Sequence, residues 1–267
     1  MNVYLFTLGK VWLTVSLIWL FVGSTPLLAN DNAKVLRLAV IYVEEPPFVY
    51  TKNDSEYLGI VPSLARALSR ELGMRLEFLP TARKGLEQSL IDGKADTTWL
   101  SPDWVMNKSK LIFSDSVFLH REFLYSKEPF IESSNPLDWL QNKTICIRQD
   151  YQYPTLNRFF DDAVAQAVKV SSQVPLVNLL IKDRCDLMYV NEYRESWMIA
   201  SLGIKHKIWR SSKALAESDL GFMFNHNWRT KMPQINQALV SIKDSGELET
   251  IIQSNIQPKV LTTLASN

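Results

Sequence analysis

The residues that could do chemistry are few and scattered. Three histidines, His120, His206 and His226, stand far apart, and none has the spacing that ligates a metal. A lone histidine of this kind reads as a surface or hinge residue. The acidic pairs Glu44-Glu45 and Asp161-Asp162 are neighbours in sequence, so their side chains diverge instead of flanking one reacting bond. Gly-x-Ser-x-Gly, His-Glu-x-x-His, Gly-x-Gly-x-x-Gly and phosphate-loop patterns are all missing from the sequence. No catalytic residue, metal or cofactor is therefore expected. Cys146 and Cys185 are the two cysteines, in neither a Cys-x-x-Cys nor a Cys/His pattern. They form a disulfide or stay as two buried thiols, and the residues leave both open.

The elements that must position a site have an ordinary composition. Hydrophobic residues make up 46% of 267, which suits a folded chain and excludes a disordered one. Formal net charge is +1, and no Lys/Arg run occurs. Such a body has no field to gather nucleic acid or an anionic membrane. At the N-terminus, Lys10 precedes the apolar run Val11–Val22, and Gly23, Ser24, Pro26 and Ala29 follow. That order, charged, apolar, small, predicts a secretory signal over residues 1–29, although Leu27 stands where a small residue is usual. The run is too short for the ~20 residues that span a bilayer. Export puts the mature protein in the periplasm.

Val35–Val43 predicts a strand, stopped by Pro46-Pro47. Val61, Leu64, Ala65, Leu68 and Leu72 share a helical face over Ser63–Leu72, with Gly73 as its cap. Arg75–Leu79 is a strand, Arg83–Leu90 a helix and Ala95–Leu100 a strand. The rhythm returns as Lys143–Arg148 (strand), Thr155–Asp162 (helix), Val168–Val170 (strand), Pro175–Ile181 (helix), Asp186–Val190 (strand) and Glu192–Ser201 (helix). Phe118–Glu128 reads as a crossing strand between the two runs. After Gly221–Phe224 come two closing helices. Two β-α-β-α-β runs predict parallel sheets with crossover helices.

Several short segments occur in an order that resembles the family-3 bacterial extracellular solute-binding proteins. They are Pro47-Phe48 after the first strand, Gly59–Leu72, Leu86–Asp96 (LEQSLIDGKAD), Phe113-Ser114, Leu179–Asp186 with Asp183 in a glycine's place, and Ser241–Ile251. The resemblance covers about residues 34–257. It implies an α/β, two-lobe periplasmic-binding-protein fold of type II, each lobe a mainly parallel sheet flanked by helices, joined by two hinge strands. Lobe one would hold residues 31–118 plus 220–267, and lobe two residues 119–219. Such proteins bind a small polar or aromatic solute, an amino acid or a related compound, between the lobes. As a monomer, the protein would deliver it to a membrane permease of an ABC transporter, or report it to a membrane sensor kinase or cyclase. A few relatives of this fold are dehydratases.

The resemblance also implies which positions touch ligand. In amino-acid-binding members an Arg clamps the ligand carboxylate and an Asp pairs with its ammonium. Here Trp104 or Asn107 holds the first place, after Ser101, and Asn191 the second, with Glu192 beside it as a substitute acid. Arg83 could replace the missing clamp. Glu45 ends the first strand on the cleft side, and Arg148 to Tyr151 follow the first strand of lobe two, with Asp150 where a glycine is usual. Phe48, Tyr50, Trp99, Trp104, Tyr151, Tyr153 and Tyr189 could stack a ring or a cation, with plain core as the alternative for Trp99 and Tyr189. The candidate ligand residues are thus Glu45, Phe48, Arg83, Trp99, Ser101, Trp104, Arg148, Tyr151, Asn191 and Glu192.

Overall fold

The computed structural model describes residues 34–257 except 43, 54–55, 132–135, 150, 152 and 206. The signal-peptide reading, Asp150 and His206 lie outside these residues.

The chain begins with β1 (Val35–Ile41) and the hairpin β2 (Tyr50–Lys52)–β3 (Glu56–Leu58), then α1 (Ile60–Glu71) and β4 (Arg75–Thr81). A 3-10 turn at Arg83–Gly85 leads into α2 (Leu86–Ile91) and β5 (Thr97–Leu100). Next come β6 (Leu111–Phe113) and β7 (Phe118–Ser126). The second run is β8 (Thr144–Arg148), α3 (Pro154–Asp161), β9 (Gln166–Val170), α4 (Val174–Ile181), β10 (Leu187–Asn191) and α5 (Glu192–Ser201). The chain closes with β11 (Trp209–Arg210), β12 (Ala216–Asn225), α6 (Met232–Asp244) and α7 (Glu247–Ile256).

Each run builds the same half-sheet. β1 lies between β4 and β5, parallel to both, and β8 lies between β9 and β10, parallel to both. One aspartate closes each run in the same way. Asp96 Oδ2 accepts the Arg37 N–H of β1 at 2.8 Å, and Asp186 Oδ2 accepts the Thr144 N–H of β8 at 2.7 Å. Asp183 stands at φ 56°, the left-handed backbone that Gly93 takes in the first half at φ 70°. Aspartate tolerates that region better than most side chains, which is why it can replace a glycine there.

The halves meet through two antiparallel strands. β12 pairs with β7 over Ala216–Leu220, then with β5 over Gly221–Phe224. The change of partner falls at Gly221, where a Cβ would meet Ser114 Oγ at 2.7 Å. Ser114 accepts the Phe222 N–H through Oγ and donates its own N–H to the Phe222 carbonyl. α1, α6 and α7 cover one face of the first half-sheet around Leu36, Leu64, Phe222 and Ile235, and α2 covers the other around Ala39, Leu90 and Met223. In the second half, α4 and α5 pack over Cys146, Met188 and Val190, and α3 over Ile145, Ile147 and Leu187. Cys146 and Cys185 are joined as a disulfide inside that core. Between the open alternatives, the structure has the bond.

Three expectations change. α1 starts at Ile60, not Ser63, because its first amides find acceptors outside the helix: Ile60 N–H donates to the Pro47 carbonyl and Val61 N–H to that of Phe48. β12 is longer than Gly221–Phe224, since its first half alternates half-buried Ala216 and Ser218 with exposed Glu217 and Asp219 and carries little apolar signal. The β2–β3 hairpin was not expected; it is short, and none of its residues is fully buried.

Candidate functional site

A cavity of about 610 Å³ is lined from both half-sheets. The first contributes the ends of β1 and β5, the turn carrying Glu45 and Phe48, and the 3-10 turns with Arg83 and Trp104. The second contributes Arg148 at the end of β8, Tyr151, Gln173 before α4, Tyr189 and Asn191 of β10, and Arg194 of α5. His120 and Glu122 of β7 line it as well.

Local structure explains these placements. Glu45 and Val49 exchange backbone hydrogen bonds, and Phe48 N–H donates to the Glu45 carbonyl, so the turn is tight. Gly59 packs on its back at φ 113°; a Cβ there would lie 2.5 Å from the Phe48 carbonyl oxygen. The Tyr153 hydroxyl accepts the Arg148 N–H and donates to the Arg148 carbonyl, both at 3.0 Å, which fixes the strand end that carries that guanidinium. Asn191 caps α5 by accepting from Tyr193 and Arg194 N–H, while its Nδ2 donates to the Arg121 carbonyl.

The charges are concentrated on one carboxylate. Glu45 is 5% exposed. Its Oε2 accepts from Arg194 Nη1 at 2.6 Å and its Oε1 from Arg148 Nη2 at 3.3 Å. Burial alone would raise the Glu45 pKa, but Arg194, the Tyr151 hydroxyl and Arg148 outweigh it, and the carboxyl is held below its usual range. Arg194 loses solvation too, yet Tyr151 and Glu45 hold its pKa above the ordinary value. Glu122 is different. Burial raises its pKa, only partly opposed by the Tyr189 hydroxyl, which donates at 3.1 Å, and by Arg194.

The aromatic groups sit around these charges. Arg194 lies over the Phe48 ring at 5.0 Å, and Arg83 and Arg148 each lie 5.6 Å from the Tyr151 ring centre. His120 is edge-on to Trp104 at 5.3 Å and 5.8 Å from Phe48. Burial, with Arg194 nearby, lowers the His120 pKa to about 3, so the ring is neutral.

Of the residues expected to touch ligand, Glu45, Phe48, Arg83, Trp99, Trp104, Arg148, Tyr151 and Asn191 are brought to the cavity. Trp99 is also core, packed on Phe118 and Phe222. Ser101 and Glu192 are not brought there. Ser101 is fully buried and accepts the Asp103 N–H as a cap, and Glu192 turns away to Arg121 and Arg210. His120, expected as a surface or hinge residue, is buried in the cavity wall.

Tyr153 and Tyr189, expected among the stacking aromatics, line the cavity and Tyr50 does not; Arg194 was missed, with Glu122 and Gln173. A signal for Arg194 existed. It stands in the first turn of α5, where the helix dipole disfavours a cation, and Val190 and Met198 offer no acid one turn away. Such an arginine must find its partner elsewhere in the fold.

Among the described residues, no group of three or more acids, histidines or cysteines could hold a metal, and no helix is long and apolar enough to cross a membrane. No curated relative matches the sequence. Solved structures do. An ancestral cationic amino acid solute-binding protein superposes with a TM-score of 0.66 at 21% identity, over 83% of this chain and 95% of that one. The second substrate-binding domain of Lactococcus lactis GlnP, in an open conformation, gives 0.65 at 16%, over 84% and 96%. A histidine kinase sensor domain similar to periplasmic binding proteins gives 0.61 at 16%, over 84% and 95%. The fold is thus the two-lobe, type II periplasmic-binding-protein fold. With the family profile matching residues 38–258, the chain belongs to the bacterial extracellular solute-binding proteins, family 3.

Proposed function

We propose that this protein binds a small polar or aromatic solute in the periplasm and hands it, unaltered, to a membrane transporter. One observation carries the reading: a single cavity is walled by two half-sheets, and Glu45 of the first reaches across it to Arg148 and Arg194 of the second. A ligand drives closure by touching both bodies at once, and a cavity lined from both offers it those contacts. The bodies are lobe one, residues 31–118 plus 220–267, and lobe two, residues 119–219. The change of partner along β12 at Gly221 supports that division. Export over residues 1–29 is part of the reading, and family membership supports it.

The test is a thermal-shift screen over amino acids, polyamines and aromatic acids. A ligand at about 100 times its Kd adds ~2.7 kcal/mol to the folded state and raises the melting temperature. Intrinsic fluorescence gives a second readout, because Trp104 is 41% exposed at the cavity mouth. The ligand should perturb wild-type emission and lose most of that change in Trp104→Phe. A library without a stabilising solute would sink the proposal. Turnover of a bound solute would replace it with an enzyme.

A sensing role is the second reading. The likeness to a histidine kinase sensor domain favours it, and the same cavity would then report occupancy to a membrane partner. Loss of solute uptake on gene deletion supports delivery; loss of a transcriptional response with uptake intact supports sensing.

A further inference from the structure

Resting on the solute-binding reading above, we propose that the cavity takes an organic monoanion: a carboxylate on an aromatic or apolar body, without an ammonium group, seated against Arg148 beside the Tyr151 ring.

The argument starts from charges withdrawn from water. Arg148 and Arg194 have side chains only 11% exposed, and both turn to the single carboxylate of Glu45, itself 7% exposed. One negative charge faces two positive ones. A buried charge must be neutralised or hydrogen-bonded, and among the described residues the wall is one anion short. The shortfall falls on Arg148. It holds the longer of the two contacts with Glu45, and its buried Nε–H has no acceptor among the described residues.

Among the described residues, the other carboxylates facing the cavity, Glu122 and Asp103, make no ion pair with Arg148. Glu122 accepts the Tyr189 hydroxyl, and burial favours its neutral form. His120 is neutral and adds nothing. Arg83 and Asp103 are exposed at the rim with opposite signs.

An α-amino acid would answer the unpaired guanidinium but bring an ammonium as well. That group needs an acid, and among the described residues none stands ready. Glu45 is shared by two arginines. Glu122 is bonded to Tyr189, Asn191 is a carboxamide committed to the α5 cap, and Asp103 lies in water. Phe48, Trp104 and Tyr151 supply flat surfaces for an apolar body.

The test uses compounds matched by skeleton: 3-phenylpropanoate, phenylalanine and 2-phenylethylamine, with parallel trios on aliphatic and indole skeletons, titrated by calorimetry against the whole protein. The inference expects the carboxylate of at least one trio to bind about tenfold or more tighter than its amino acid, a gap of ~1.4 kcal/mol, and the amines not to bind. An amino acid or amine that equals or beats its carboxylate overturns the inference and leaves solute binding standing. Silence across every trio overturns the inference, and a silent wider thermal-shift screen then removes the solute-binding reading too.

Two variants locate the seat. Arg148→Lys keeps the charge but loses the fork, and should weaken the carboxylate about tenfold. Glu45→Gln removes the internal competitor, so carboxylates should bind tighter and dicarboxylates should gain most. Carboxylate binding unchanged in Arg148→Lys, or abolished in a folded Glu45→Gln protein, would overturn the assignment.

Discussion

Arg194 Nη1 stands 2.6 Å from Glu45 Oε2 although 149 positions separate them in the chain. Both are buried. Glu45→Ala should therefore leave the guanidinium groups of Arg194 and Arg148 without their carboxylate and cost about 3–5 kcal/mol. Urea unfolding measures this as a lower midpoint. The Glu45→Ala/Arg194→Met double variant should recover part of the loss, because Arg194 no longer needs a partner while Arg148 still lacks its carboxylate. A single variant as stable as wild type would contradict the pairing.

Stability should fall on acidification below neutrality. Burial lowers the His120 pKa to about 3, against 6.5 for the free side chain. Between those values the unfolded chain binds a proton that the folded chain refuses. The contribution is whole above pH 6.5 and is lost as pH falls towards 3, by at most ~1.4 kcal/mol per pH unit. Glu45, with its pKa lowered, adds to the loss below the ordinary carboxylate range. Glu122 has the opposite sign: its pKa is raised, so it favours the folded state at low pH. Melting temperatures from pH 7 to 4.5 should decline, and His120→Gln should flatten the slope.

The disulfide should be worth about 2–4 kcal/mol, since it closes a loop of 39 residues in the unfolded chain. Cys146 and Cys185 are 0% and 3% exposed, so reductant should act only on transiently opened molecules. The Cys146→Ala/Cys185→Ala protein should unfold at lower urea. Wild type under reductant should approach it slowly.

Gly59→Ala should be among the most damaging small substitutions. The new Cβ would lie 2.5 Å from one backbone oxygen and 2.7 Å from another, at φ 113°. Neither oxygen can rotate away, and strain at such a backbone angle adds ~1–3 kcal/mol to the clash. The turn holding Glu45 and Phe48 would shift, so solute affinity should fall together with the melting temperature. Full affinity in a folded Gly59→Ala protein would show that this turn does not set the site.

Much of the fold was legible because it is local. Val35–Ile41, Leu86–Ile91 and Glu192–Ser201 carry their periodicity in adjacent residues, and Pro62, Pro154 and Pro175 mark first turns of helices. The aspartates ending Leu86–Asp96 and Leu179–Asp186 are structural, each receiving a backbone amide from the first strand of its run. Solvated or charged segments were harder. The first half of β12 and the β2–β3 hairpin form through ladder partners, not through apolar alternation of their own.

The sequence by itself determined the order of strands and helices, the repeat of one β-α-β-α-β run by another, and most residue types that meet at the cavity. Hydrogen bonds and apolar faces that span a few residues are decided by neighbours in the chain. Only the tertiary structure decided that Glu45 is shared by Arg148 and Arg194, that His120 is buried and neutral, and that Glu192 faces away. Those facts depend on which charges lose their water together. That follows from packing between segments distant in the chain, 149 residues for Glu45 and Arg194 and 71 for Arg121 and Glu192, about which local spacing is silent.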